Sequence, residues 1–164
     1  LLETLKNLKK EKLNVSPSYV WSVQEEIGLR GAKVVANTLK PDYVIALDTY
    51  TTSDMPNMPG VDQFYKPIKF GEGPVLRMVD TRAISTPKMV KHFKNVAEDK
   101  DIPYQYGVTG GTTDGMALQE SGCPTISIGV PVRYSHSTVE VADWSDVKNL
   151  IKLIEEGVKE LPLK

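Results

Sequence analysis

The sequence predicts an α/β fold: a three-layer sandwich built on a mainly parallel, twisted sheet. Two observations predict it. Short apolar runs rich in β-branched and aromatic residues alternate with longer stretches whose apolar residues recur at helical spacing. Such alternation belongs to strand–helix–strand units, in which helices cover both faces of a parallel sheet. The length of 164 residues is that of one domain, with enough chain to bury a full core without staples.

Taken in order, Leu1, Leu5 and Leu8 mark an amphipathic helix over residues 1 to 10. Asn14 to Pro17 ends it. Tyr19 to Val23 reads as a buried parallel strand that stops at Gln24-Glu25-Glu26. Gly28 to Gly31 permits a tight turn, and Ala32, Val35, Ala36 and Leu39 give a second helix its face. Tyr43 to Leu47 is a second strand, ended by Asp48. Residues 49–74 are irregular, and a loop of that length in a compact domain is functional or mobile. Val75 to Val79 is a third strand. Thr86 and Pro87 cap and open a helix whose inner face is Met89, Val90, Phe93, Val96 and Ala97. Tyr104 to Val108 is a fourth strand. Asp114 caps a short helix through Met116 to Leu118. A fifth strand covers Pro124 to Val130, and the loop to Val141 carries His136. The last helix starts near Ser145, with Val147, Leu150, Ile151, Ile154, Val158 and Leu161 on one face.

Composition removes several functions. A formal net charge of −1 leaves no basic surface for nucleic acid or an anionic membrane. No apolar run approaches the roughly 20 residues of a membrane helix, and no signal peptide is seen, so the expected location is cytoplasmic. The single cysteine, Cys123, excludes an internal disulfide, fits a reducing compartment and reads as a small core residue. His92, in mid-helix, reads as structural.

Four ionisable residues fall just beyond strands: Glu25 and Glu26 after the first, Asp48 after the second and His136 after the last. In open α/β sheets the ligand site lies beyond the carboxyl ends of the strands. Glu, Asp and His are ligands for Zn²⁺ or Co²⁺, so Glu26, Asp48 and His136 are candidate metal ligands. Glu25, beside Glu26 but pointing elsewhere, is a candidate base toward a metal-bound water. Each residue has a plainer reading. A Glu pair at a helix start can simply complement the helix dipole, and Asp48 can be a turn residue. His136 can be held by hydrogen bonds alone. Gly110-Gly111 lacks the Gly-Lys-Ser/Thr tail of a phosphate loop.

Together, Val23-Gln24-Glu25-Glu26-Ile27-Gly28-Leu29-Arg30-Gly31-Ala32, Ile45 to Asp48, Gly110-Gly111-Thr112-Thr113-Asp114 and Ile128 to Ser137, continuing as Val139-Glu140-Val141, resemble the tetrahedral-type metallo-aminopeptidases. This family includes deblocking and glutamyl aminopeptidases and once carried a cellulase label. The resemblance implies a zinc-exopeptidase-like fold. It implies that Glu25 is the general base, that Glu26 and His136 bind one ion of a pair of Zn²⁺ or Co²⁺, and that Asp48 binds the other. It further implies release of N-terminal residues from short peptides and assembly into dodecamers. The family also uses an upstream His-x-Asp pair and a bridging Asp, with an inserted dimerisation domain between them. None of these is present. Residues 1–164 are therefore expected to be one N-terminally truncated catalytic domain that binds metal poorly and does not turn over peptide alone, with the 49–74 loop disordered. Two other readings remain: a glycoside hydrolase using two carboxylates, and a degenerate module without catalysis.

Overall fold

In the computed structural model, residues 1–54 and 68–162 are described. They form α1 (Leu2–Leu8), α2 (Arg30–Thr38), β1 (Val44–Thr51), β2 (Val75–Val79), α3 (Pro87–Asp99), β3 (Gln105–Val108), α4 (Gly115–Gln119), β4 (Thr125–Arg133), β5 (Val141–Ala142) and α5 (Trp144–Lys159). The strand order is β1-β4-β2-β3, with β5 added to β4. β1 runs parallel to β4 from Val44 opposite Thr125 to Thr51 opposite Val132. β2 and β3 are also parallel. The joint between these two pairs, β2 against β4, is antiparallel. Parallel ladders thus dominate, as the alternating pattern predicts, while the reversal at the joint leaves no trace in hydrophobic periodicity.

β4 is buried along nearly its whole length, the pattern of a central strand covered on both faces. On one face, Met89, Phe93 and Val96 of α3 pack with Leu153, Ile154 and Val158 of α5, with Leu8 of α1 joining them over Leu76, Ile126 and Ile128. On the other, Ala32 and Ala36 of α2 meet Met116, Ala117 and Leu118 of α4 over Val44. These are the expected three layers. Leu153 faces the core although the expected face of α5 omitted it.

Four local expectations change. Tyr19 to Val23 forms no strand. Val20, Trp21 and Val23 are 39%, 57% and 67% exposed. Strand propensity reflects packing on a pleated surface, and this run lies on none. β1 continues through Asp48 to Thr51, so Asp48 sits inside a strand and not at its end. Thr86 and Asp114 occupy helix N-cap positions without capping by their side chains. The Thr86 hydroxyl instead accepts the Thr125 N–H at 2.9 Å, and Asp114 accepts the Ser22 hydroxyl. In each case a partner from a distant segment takes the side-chain oxygen that a cap would use. Pro87 opens α3 as expected.

The long irregular segment is shorter than expected, because Thr49 to Thr51 belong to β1. Residues 55–67, where disorder is expected, lie outside the described residues. The segment's far end is tied down. Buried Asp146 accepts the Gly71 and Gly73 amides, each at 2.8 Å. Gln105 binds both backbone groups of Lys69 at 3.0 Å. Cys123 is half-buried and unpaired. His92 Nε2 bonds the Gly157 carbonyl at 2.8 Å, a structural role. Among the described residues, no helix is long and apolar enough to cross a membrane.

Gly157 marks the tightest point between α5 and α3. A Cβ there would stand 2.2 Å from Cε1 of Phe93, which is fully buried. Alanine would gain about 1 kcal/mol of helix propensity, but overpacking a closed core costs about 1–3 kcal/mol. Gly157→Ala is therefore expected to lower stability in urea unfolding. An unchanged or raised midpoint would show that Phe93 can move aside.

Candidate active site

The turn bearing Glu25 and Glu26 is specified locally. Gln24 and Leu29 have φ of 59° and 56°, and Gly28 has φ of 106°. The Leu29 N–H closes the turn on the Glu25 carbonyl at 2.9 Å, and the Leu29 side chain is buried beneath it. The Gly31 N–H then donates to the Val23 carbonyl at 2.9 Å. This approach needs glycine: a Cβ at Gly31 would lie 2.5 Å from the Val23 nitrogen and 2.8 Å from its oxygen. The carboxylate pair thus stands on a turn four residues ahead of α2, not at its first turn.

Asp48 comes from the middle of β1, opposite Gly129, and its Oδ1 accepts the Thr49 N–H at 2.7 Å. His136 lies on the loop after β4, with φ of 62°. Its backbone N–H donates to Glu140 Oε1 at 2.7 Å. His136 Nε2 stands 3.4 Å from Glu26 Oε1, both side chains being largely exposed. Glu25, Glu26, Asp48 and His136 all line one open cavity of about 560 Å³. The four residues nominated from the sequence therefore share a site, although the strand expected ahead of Glu25 does not exist.

Electrostatics separate the carboxylates. Burial pushes the Glu25 carboxyl above its ordinary value, and the charges of Asp48, Glu26 and Asp114 push the same way against Arg77. Asp48 is also raised, chiefly by burial; the Thr49 amide and Arg77 oppose this, while Glu26 and Asp114 add to it. A carboxylate whose pKa is raised by a crowded, half-buried site suits proton transfer.

As a metal centre the donor set fits in part. The Glu26–His136 pair brings a carboxylate and an imidazole together, and Asp48 offers a second carboxylate. Among the described residues, however, no three His, Cys, Asp or Glu side chains converge closely enough to hold an ion. Two arginines of the cavity wall, Arg77 and Arg82, were not found from the sequence. For Arg77 a signal existed, namely a guanidinium in the middle of the apolar strand Val75 to Val79.

The sandwich and its carboxylate–imidazole cavity define the class: an α/β domain with an acidic cleft. The model of the M42 glutamyl aminopeptidase family matches residues 1–153, and the chain belongs to that family. It is 37% identical over 161 residues to a putative aminopeptidase of Acetivibrio thermocellus, covering 96% of this chain and 47% of the relative. The aminopeptidase of Desulfurococcus kamchatkensis superposes with a TM-score of 0.87 at 36% identity, over 96% of this chain and 45% of that one. The PhTET1-12s dodecamer gives 0.85 at 36% identity, over 98% and 46%. The chain thus spans about half the length of the relatives it matches.

Two outcomes are expected. Because Glu25 has a raised pKa in the fold, the folded state holds its proton more tightly than the unfolded chain, so stability falls as pH rises through and above the ordinary glutamate range. Glu25→Gln should then raise the melting temperature of the metal-free chain at pH 7 and leave it unchanged near pH 3.5; an equal effect at both would remove the electrostatic cause. Gly31→Ala should destabilise the chain by about 1–3 kcal/mol and shift the backbone amide signals of Val23 to Glu26, since backbone cannot yield to the new Cβ as a side chain could.

Proposed function

We propose that residues 1–164 are part of the catalytic domain of a metal-dependent aminopeptidase that releases N-terminal residues from short peptides. The observation that carries this reading is the sharing of one cavity by Glu25, Glu26, Asp48 and His136. Family membership supports it. Glu26 and His136 would hold one divalent ion, Zn²⁺ or Co²⁺, and Asp48 a second. When bound, such ions polarise a peptide carbonyl and acidify water. Glu25 would take the proton of the attacking water and return it to the leaving amine, a role its raised pKa favours. The carboxylates also attract the ammonium of a free N-terminus. The chain would act as a homo-oligomer, supported by the dodecameric neighbour, and in the cytoplasm, which its single unpaired cysteine suits.

The domain would be partial, as its span of about half the length of its relatives supports. A catalytic zinc has three protein ligands, whereas here two donors pair and the third stands apart. The isolated chain is accordingly inactive in this reading. A glycoside hydrolase would leave the Glu26–His136 pair without a task.

At the full length of its relatives, the protein is expected to cleave N-terminally free peptides with Zn²⁺ or Co²⁺ and to lose activity to a chelator. Glu25→Gln should lower kcat about 10²–10⁴-fold with metal content unchanged. Activity that survives metal removal would overturn the reading, as would full activity of Glu25→Gln.

A further inference from the structure

Arg77 is a charge that the proposed chemistry does not use, in a place where charge is costly. It lies in β2 with 8% of its surface exposed. A buried guanidinium is destabilising unless its donors are met, and an apolar side chain of similar size would fill the position more cheaply. Its partners are few but specific. Nη2 donates to the Thr49 carbonyl at 3.3 Å. Nη1 stands 3.7 Å from Oδ2 of Asp80, whose side chain is 1% exposed, and this buried nitrogen has no hydrogen-bond acceptor among the described residues. The guanidinium carbon lies 5.5 Å from the centre of the Tyr50 ring.

Those partners lead to two walls of the cleft. Thr49 follows Asp48 and braces it, its N–H on Asp48 Oδ1 and its carbonyl on Arg77. Asp80 Oδ1 closes the next turn by accepting the Arg82 and Ala83 amides at 2.8 and 2.7 Å. From that turn the Thr81 N–H donates to the Gly111 carbonyl at 3.0 Å, and the Thr109 N–H returns to Val79 at 3.1 Å. Gly110 and Gly111 line the same cavity.

We propose that Arg77 is a positioning residue: its guanidinium bridges the Asp48–Thr49 stretch of β1 and the Asp80 turn, and so holds Asp48 and the glycine loop in one spatial relation. Its meaning for peptide cleavage rests on the aminopeptidase reading above; the bridge itself does not. The same cation opposes the upward push on the Glu25 and Asp48 carboxyls. Arg82, the other arginine of the wall, cannot substitute, because its side chain is 53% exposed and turned toward Glu120 at 3.8 Å.

Arg77→Met keeps the bulk and removes the bridge; Arg77→Lys keeps the charge but reaches only one side. In amide hydrogen exchange of the 164-residue chain, Arg77→Met is expected to speed exchange at Thr81, Ala83 and Thr109 about tenfold or more, the loss of a charge-assisted contact. Amides in the cores of α3 and α5 should stay within twofold, and Arg77→Lys should fall between. A Co²⁺ titration followed by visible absorption should show affinity falling in the same order. Unchanged exchange at those three amides would overturn the proposal, as would acceleration spread evenly over α3 and α5. A wild-type chain that takes up no Co²⁺ counts against the metal reading of the isolated chain alone, and exchange then decides the role of Arg77.

Discussion

The parallel ladder between β1 and β4 is the constraint on which the rest depends. Its register puts Asp48 opposite Gly129. A side chain at Gly129 would press on Tyr50 Cβ at 3.0 Å and the Thr49 backbone at 3.3 Å, so the two strands approach closely just where Asp48 leaves the sheet. A one-residue slip would turn Asp48 to the opposite face. β4 then continues to Arg133 and delivers His136 from its far end. Strand pairing thus sets where Asp48 and His136 stand, while Glu26 meets His136 from the turn ahead of α2.

Around that ladder, charge is distributed unevenly. Carboxylates crowd the cavity from three segments, and burial with mutual repulsion raises Glu25 and Asp48. Such strain accords with a site built to receive positive charge, whether metal ion or ammonium. The fold tolerates it because the surrounding backbone is held by packing and hydrogen bonds. Leu29 lies beneath the Glu25 turn, and Ser22 is joined to Asp114. The far end of the long segment is bound to Asp146.

Much of this was legible in the sequence. Phe93, Met89, Ile126 and Leu76 sit in the core because periodicity and burial obey the same geometry. The four candidate residues were legible through residue type and motif, although Glu25 and Glu26 follow no strand and Asp48 lies inside β1. What stayed hidden was non-local. Nothing in Tyr19 to Val23 distinguishes a paired strand from an unpaired one, since pairing is a property of a neighbour. The end of β1 was misplaced because Thr49 to Thr51 look like a loop until Val130 to Val132 lie beside them. Arg77 acquires meaning only when Thr49 and Asp80 arrive from distant positions.

β1 has a hydrogen-bonded neighbour on one side only among the described residues. This edge of eight residues carries a single charge, Asp48, and at Thr49 its amide and carbonyl are met by the side chains of Asp48 and Arg77. Such an edge is a template for any extended chain, including another copy of itself. A charge on such an edge disfavours pairing with an extended chain: the side chain nominated for chemistry also discourages self-association there, and acid conditions that neutralise it weaken that effect.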